Sequence, residues 1–227
     1  MNRRELVSAA MVSPLLAVAA TPDAGASDLP PARVVKPLPF APAKLKGLSE
    51  RLLVSHHDNN YAGAVKNLSR VEEEIGRLKP DAPPFLVGAL RDRQLQFHNS
   101  MTLHELYFGN LGGDGKQSGA LAQALAPNWE GRFRAAALSL SGGSGWVTLS
   151  LHLGTGELLT AWSGNHTQAP VAALPLLICD LYEHAYALDY GAAAAKYIDA
   201  FFANLHWQEV ERRYQGATVA FKAIRGA

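Results

Sequence analysis

The run Ala173-Leu-Pro-Leu-Leu-Ile-Cys179 is apolar and is followed at once by Asp180, and this junction constrains the fold more than any other stretch of the chain. An unbroken apolar run of this length, led in by small and polar residues, reads as a buried strand. An ionised carboxylate at the end of such a strand is costly unless something positive compensates it. The fold must therefore bring cationic or cation-binding groups to this point. His184 lies four residues on, close enough to share one face of a helical turn with Asp180. A metal ion is the natural compensating partner. His56 and His104 lie far upstream on predicted helices. Taken singly, each is most simply a surface or satisfied core histidine. As a set, His and carboxylate suit iron, manganese or zinc by ligand type.

Hydrophobic periodicity and turn residues divide the chain into two halves. A long amphipathic helix is predicted from about Leu48 to Leu78, stopped by Pro80, with Glu72, Glu73, Glu74 and Arg77 on its solvated side. Pro83-Pro84 marks a turn, and a second helix runs from Leu86 to Tyr107 into the glycine-rich stretch Gly109 to Gly115. Two long helices joined by a short turn form an antiparallel hairpin. A helix follows from about Trp129 to Leu140. Trp146 to Leu153 and Leu158 to Trp162 read as a strand pair around Gly154-Thr-Gly156, and Leu174 to Cys179 supplies a third strand. Ala192 to Arg213 is mostly helical. The expected class is α+β: an N-terminal antiparallel helical hairpin, then an α/β domain with a small three-stranded antiparallel sheet. The expected division is 1–26 export signal peptide, 27–43 extended lead-in, 44–122 helical hairpin domain and 123–227 C-terminal α/β domain.

Composition sets limits on partners. With 227 residues, 48% of them hydrophobic, the chain can bury one sizeable core or two small ones. A net charge of +1 gives no reason to expect a nucleic-acid partner. Cys179 is the single cysteine, so no intramolecular disulfide is possible. Asn2-Arg3-Arg4-Glu5-Leu6 gives a basic start, Leu6 to Ala20 is apolar but too short to span a membrane, and Ala24-Gly-Ala26 is a small-residue cleavage site. A periplasmic or secreted protein is expected. The adjacent arginines point to the twin-arginine route for folded proteins, with an ordinary secretory signal as the alternative.

Several stretches together resemble the iron/manganese superoxide dismutase family. The family's signature Asp-x-Trp-Glu-His-Ala-Tyr is matched by Asp180-Leu-Tyr182-Glu183-His184-Ala185-Tyr186, one aromatic replacing another. Gly142-Gly-Ser-Gly-Trp146 is similar to the family's turn into its sheet. His56-His57 sits where the first ligand and its neighbour lie, and His104 with Glu-Leu-Tyr-Phe after it resembles the second. Tyr197 to Trp207 is similar to the closing helix, so the resemblance runs from about Pro37 to Tyr214. It implies a single iron or manganese ion per subunit, bound by His56, His104, Asp180 and His184 between the two domains. It implies superoxide, a small anion, as substrate, and a homodimer through paired Glu183 and His184.

The same resemblance marks departures. Where the family usually has a tyrosine eight residues after the first ligand, this chain has Ala64. Asn60 stands for a histidine and Ala187 for a second tyrosine, so the usual proton-delivery gateway is replaced. The short Ser100 stands where many iron forms have a glutamine. His166, in Ser163-Gly-Asn165-His166, is the candidate to hydrogen-bond the solvent ligand in the glutamine's stead; the alternative is a water-exposed loop histidine. Trp146 and Tyr182 are assigned to the aromatic wall of the site. His98, His152 and His206 receive no role. The leading expectation is a superoxide dismutase. A metal-binding protein on the same fold with lost or altered redox catalysis is the alternative that Asn60, Ala64 and Ala187 motivate. A zinc hydrolase is weaker, because the His-Glu-x-x-His motif is absent.

Overall fold

A computed structural model of the chain describes residues 33–226. The expected leader and the first residues of the lead-in lie outside the described residues.

Helix α1 (Glu50–Ser55) starts at Ser49, whose hydroxyl accepts the Leu52 N–H and satisfies one of the free donors of the first turn. Asp189 in turn holds both the N–H and the hydroxyl of Ser49, at 2.7 and 2.6 Å. The helix then widens into a π-helical segment, His56–Tyr61, before α2 (Ala62–Gly76) resumes the ordinary pitch. The predicted single helix is thus three pieces. Such π segments are uncommon and concentrate at functional sites; here it opens on His56. Glu72 also departs from expectation. It is buried, because the lead-in crosses α2 and Arg33 pairs with it at 3.0 Å.

Pro84 occupies the first turn of α3 (Pro84–Gly109), where its missing N–H costs nothing. Only the second half of α3 is apolar on one side. Ser100, Met101, His104, Tyr107 and Phe108 are its buried residues, and their spacing traces one stripe. That stripe faces the first helical stretch and the sheet, so α3 is the element both halves share. Helices α4 (Gly119–Ala124) and α5 (Trp129–Leu138) follow.

The sheet is antiparallel with order β2-β1-β3, built from β1 (Trp146–His152), β2 (Leu158–Ser163) and β3 (Ala173–Asp180). Central β1 pairs Trp146 with Ser163 on one side and with Asp180 on the other. The indole and the carboxylate therefore leave the same face of the sheet. Gly145, with φ 149°, permits this turn: a Cβ there would lie 2.1 Å from the Ser163 carbonyl. Pro175 lies on edge strand β3, where a missing ladder donor is tolerated.

After the short α6 (Ala187–Tyr190), the predicted closing helix is two helices, α7 (Ala194–Ala203) and α8 (Trp207–Arg225). The break falls at Asn204, whose amide donates to Ala200 and Lys46 carbonyls, both at 2.7 Å, while Leu205 bridges to Leu111. Half-buried Arg213 then ties α8 to the rest. Its guanidinium donates to Asn110 Oδ1 at 2.8 Å and to the Leu176 and Leu106 carbonyls at 3.1 Å each. Asn110 closes the joint by donating to the Ile178 carbonyl at 2.6 Å. The end of α3 and the end of β3 are thereby held together, which is what aligns His104 with Asp180. Among the described residues no helix is long and apolar enough to cross a membrane.

Candidate metal centre

Four side chains from four separate elements meet at the seam. His56 opens the π segment, His104 comes from α3, Asp180 ends β3, and His184 lies in the 3₁₀ turn Glu183–Ala185 that follows. Asp180 Oδ2 is the common point. It lies 3.1 Å from His56 Nε2, 3.2 Å from His184 Nε2 and 3.7 Å from His104 Nε2. One donor atom from each residue falls within 4.8 Å of all the others. His56 and Asp180 are fully buried and His104 nearly so, while His184 retains 24% side-chain exposure.

Local hydrogen bonds aim His104 and Asp180. His104 Nδ1 lies 2.7 Å from the Ser100 carbonyl, which can only accept. The ring proton therefore sits on Nδ1, and Nε2 presents a bare lone pair. The Tyr182 N–H donates to Asp180 Oδ1 at 2.8 Å, which leaves Oδ2 for the cluster. Tyr197 donates to the Asp180 carbonyl at 2.8 Å and anchors the strand end. Burial lowers the His104 imidazole to about 3, with His56 nearby adding to the effect, so the ring is neutral at ordinary pH. Burial likewise lowers His56. Burial alone would raise the Asp180 carboxyl, but the charge and hydrogen bond of His184, and then His56, outweigh it and hold the group well below the usual carboxylate range.

These residues fit a metal ion. Both nitrogens of His56 and Nε2 of His104 are buried without a hydrogen-bond partner. Orphaned buried polar atoms cost roughly 1–3 kcal/mol each. A single cation accepting the lone pairs of His56 Nε2 and His104 Nε2 beside an ionised carboxylate removes that cost for both atoms, and three imidazoles with one carboxylate suit iron or manganese.

The wall around the ligands is aromatic. Trp146 stands edge-on to His104 at 5.1 Å between ring centres, and Tyr107 and Phe108 lie 5.2 and 5.0 Å from His56. The Trp146 indole N–H donates to His166 Nδ1 at 2.9 Å. His166 stacks on Tyr182 at 4.6 Å, and Tyr182 stacks on His184 at 5.3 Å. The expected solvent partner His166 and the two expected wall residues, Trp146 and Tyr182, thus form one contact chain ending on a ligand. His166 is not a water-exposed loop residue. Its loop is pinned by Asn99, whose amide donates to the His166 carbonyl at 2.8 Å, and burial lowers its imidazole. Of the substituted gateway positions, Ala64 is buried, Asn60 half-buried and Ala187 exposed.

Sequence reasoning missed a clamp behind the ligands. Tyr61, at the end of the π segment, turns inward. Its hydroxyl donates to Glu105 Oε1 and accepts the Lys36 N–H, both at 3.0 Å. His57 Nε2 donates to the Lys36 carbonyl at 2.8 Å, and the Lys36 ammonium pairs with Glu105. Each polar group of Lys36 is therefore held by a residue beside, or five beyond, a ligand. Burial pushes the Tyr61 phenol up to about 12, so it keeps its proton and serves as donor. Partners so far apart in sequence leave no short motif, which is why no local signal announced them.

The family described as iron/manganese superoxide dismutases, C-terminal domain, matches residues 123–213. An iron superoxide dismutase from Cupriavidus metallidurans is 43% identical over 190 residues, covering 81% of this chain and 96% of that protein. One from Aquifex aeolicus is 31% identical over 199 residues, covering 81% and 92%. A manganese superoxide dismutase from Haloferax volcanii is 32% identical over 201 residues, covering 82% and 97%.

Proposed function

The chain belongs to the iron/manganese superoxide dismutase family, and from that premise we propose how its own residues serve the reaction and where it takes place. It is a metal-dependent superoxide dismutase, with His56, His104, Asp180 and His184 able to hold one iron or manganese ion. The observation that carries this is the convergence of three imidazole nitrogens within 3.7 Å of one buried carboxylate oxygen. When bound, the ion supplies a one-electron couple that superoxide reduces in one half-reaction and reoxidises in the other, yielding dioxygen and hydrogen peroxide.

The protein's part is orientation, exclusion and proton placement. The Ser100 carbonyl keeps the His104 proton on Nδ1, and the Tyr182 N–H keeps Asp180 Oδ2 turned inward. The aromatic rings around His56 and His104 exclude larger reductants. With Trp146 donating to His166 Nδ1, the proton of a neutral His166 belongs on Nε2. His166 is then the donor available near the ligands in place of the family's usual glutamine, and Trp146 and Tyr182 set its orientation. The changes at Asn60, Ala64 and Ala187 leave the ligand cluster intact, so no observation favours a protein that has lost catalysis.

Glu183 is exposed beside His184, whose ring keeps one partly open edge; both features suit a two-fold dimer in which each Glu183 reaches the partner's ligand histidine. The basic start, apolar stretch and small-residue site within residues 1–26 support export to the periplasm or beyond, by the twin-arginine route for an already folded protein. Peptide mapping of protein from a cell envelope fraction should show a mature start near Ser27; recovery of the intact start in the cytoplasm would exclude export. The function itself is tested by pulse radiolysis of metal-loaded protein, which should remove superoxide at near-diffusional rates. Decay no faster than in the metal-free protein would contradict it.

A further inference from the structure

A cavity of about 140 Å³ lies between α3 and the sheet, and the rings of Trp146 and His166 form one of its walls. The same two rings back the ligand cluster, 5.1 and 6.3 Å from the His104 ring. Leu103 and Leu106 of α3 and Ala161 and Ala173 of the strands supply much of the remaining wall. Several polar groups around the space are already hydrogen-bonded. Ser150 donates to Thr148 at 3.2 Å, Ser163 donates to the Asn165 and Gln168 carbonyls at 2.8 and 2.6 Å, and Asn99 donates to His166. Gln168 Oε1 accepts the Gly164 N–H at 2.8 Å. Carbon therefore makes up most of the surface turned toward the space.

A buried water needs about two to four polar partners, whereas apolar cavities of roughly 150 Å³ stay dry and take up xenon. An anion entering such a space would lose much of its hydration for few polar contacts. We propose that this cavity binds dioxygen. The inference rests on the dismutase reading of the metal centre. With an iron or manganese ion held by His56, His104, Asp180 and His184, superoxide would be oxidised by one electron to neutral dioxygen, with no proton transferred. The loss of charge moves the molecule from the class this cavity rejects to the class it accepts. The product thus gains an apolar site one ring's width from the ligands, one that disfavours the charged substrate.

Crystals of the metal-loaded protein pressurised with xenon, and separately with dioxygen, test this. Both gases should appear in the space bounded by Trp146, His166 and Ala161. Ala161 pairs with Thr148 in the sheet, and Ala161→Leu should fill the cavity and abolish both signals with metal content unchanged. Thr148→Val, which removes a hydroxyl at nearly constant shape, should retain them, and serves if the leucine variant fails to fold. Ordered water in the cavity without either gas, or gas binding that survives filling by leucine, overturns the proposal. A protein that takes up both gases yet leaves superoxide untouched would instead remove the dismutase reading while the cavity assignment stands.

Discussion

Asp180 Oδ2 and His56 Nε2 lie 3.1 Å apart although one ends the last strand and the other opens the π segment of the first helical stretch. The pair joins the helical hairpin to the sheet domain at the buried carboxylate oxygen that His184 Nε2 also approaches to 3.2 Å. Asp180→Asn keeps the shape and removes the charge. It should reduce bound iron or manganese to below about a tenth of an ion per chain by elemental analysis. Because an ion held only by the folded state stabilises by about 4 kcal/mol at a thousandfold excess over its dissociation constant, added metal should raise the wild-type melting temperature and leave that of Asp180→Asn unchanged. Full metal occupancy in the variant would sink the ligand assignment.

The clamp on Lys36 predicts a distinct effect. Tyr61→Phe removes hydrogen bonds to Glu105 and Lys36 without altering ring packing. It should cost about 1–2 kcal/mol in denaturant unfolding. The sign with pH follows from the raised phenol. The unfolded chain loses this proton near the ordinary value of 10.0, the folded one only at about 12. Above pH 10 the unfolded state therefore binds fewer protons, and the wild type loses stability as pH rises through this window. The gap between wild type and Tyr61→Phe should narrow from pH 10 to 12; a gap that stays constant would mean Tyr61 is not the titrating group.

The Trp146–His166 contact makes a third test. His166→Ala leaves a buried indole N–H unpaired, a loss of about 1–3 kcal/mol. His166→Gln supplies an acceptor and should recover part of it. If His166 also addresses the solvent near the ligands, the alanine variant shifts the optical titration of the metal-loaded protein and the glutamine variant shifts it less. Identical titrations in all three proteins would leave His166 as a packing residue only.

Glu183 gives a fourth. Removing it with Glu183→Ala should weaken self-association at least tenfold in sedimentation equilibrium while each chain keeps its metal. Wild-type protein that sediments as a monomer at all concentrations would eliminate the paired arrangement.

Much of this was legible in the sequence. The strand into Asp180 and the helix ending at the glycine-rich stretch follow from local rules of burial and turn chemistry, and the turn into Trp146 and the ligand set followed from family resemblance at matching positions. What stayed hidden depended on contacts across the fold. The π segment at His56 is a change of pitch that hydrophobic spacing cannot resolve over six residues. Glu72 looked solvated because its partner Arg33 lies in the lead-in, not on the helix. The closing helix split at Asn204 because that side chain competes for backbone carbonyls brought close by tertiary packing. Tyr61 could be placed only once Lys36 and Glu105 were seen to meet it.

The most direct test is to titrate metal-free protein with iron or manganese and record superoxide decay by pulse radiolysis at each occupancy. The account predicts that the rate climbs in proportion to bound metal and levels off at one ion per chain, with Asp180→Asn flat throughout. A wild-type rate that ignores occupancy, or a variant that matches the wild type, would contradict it.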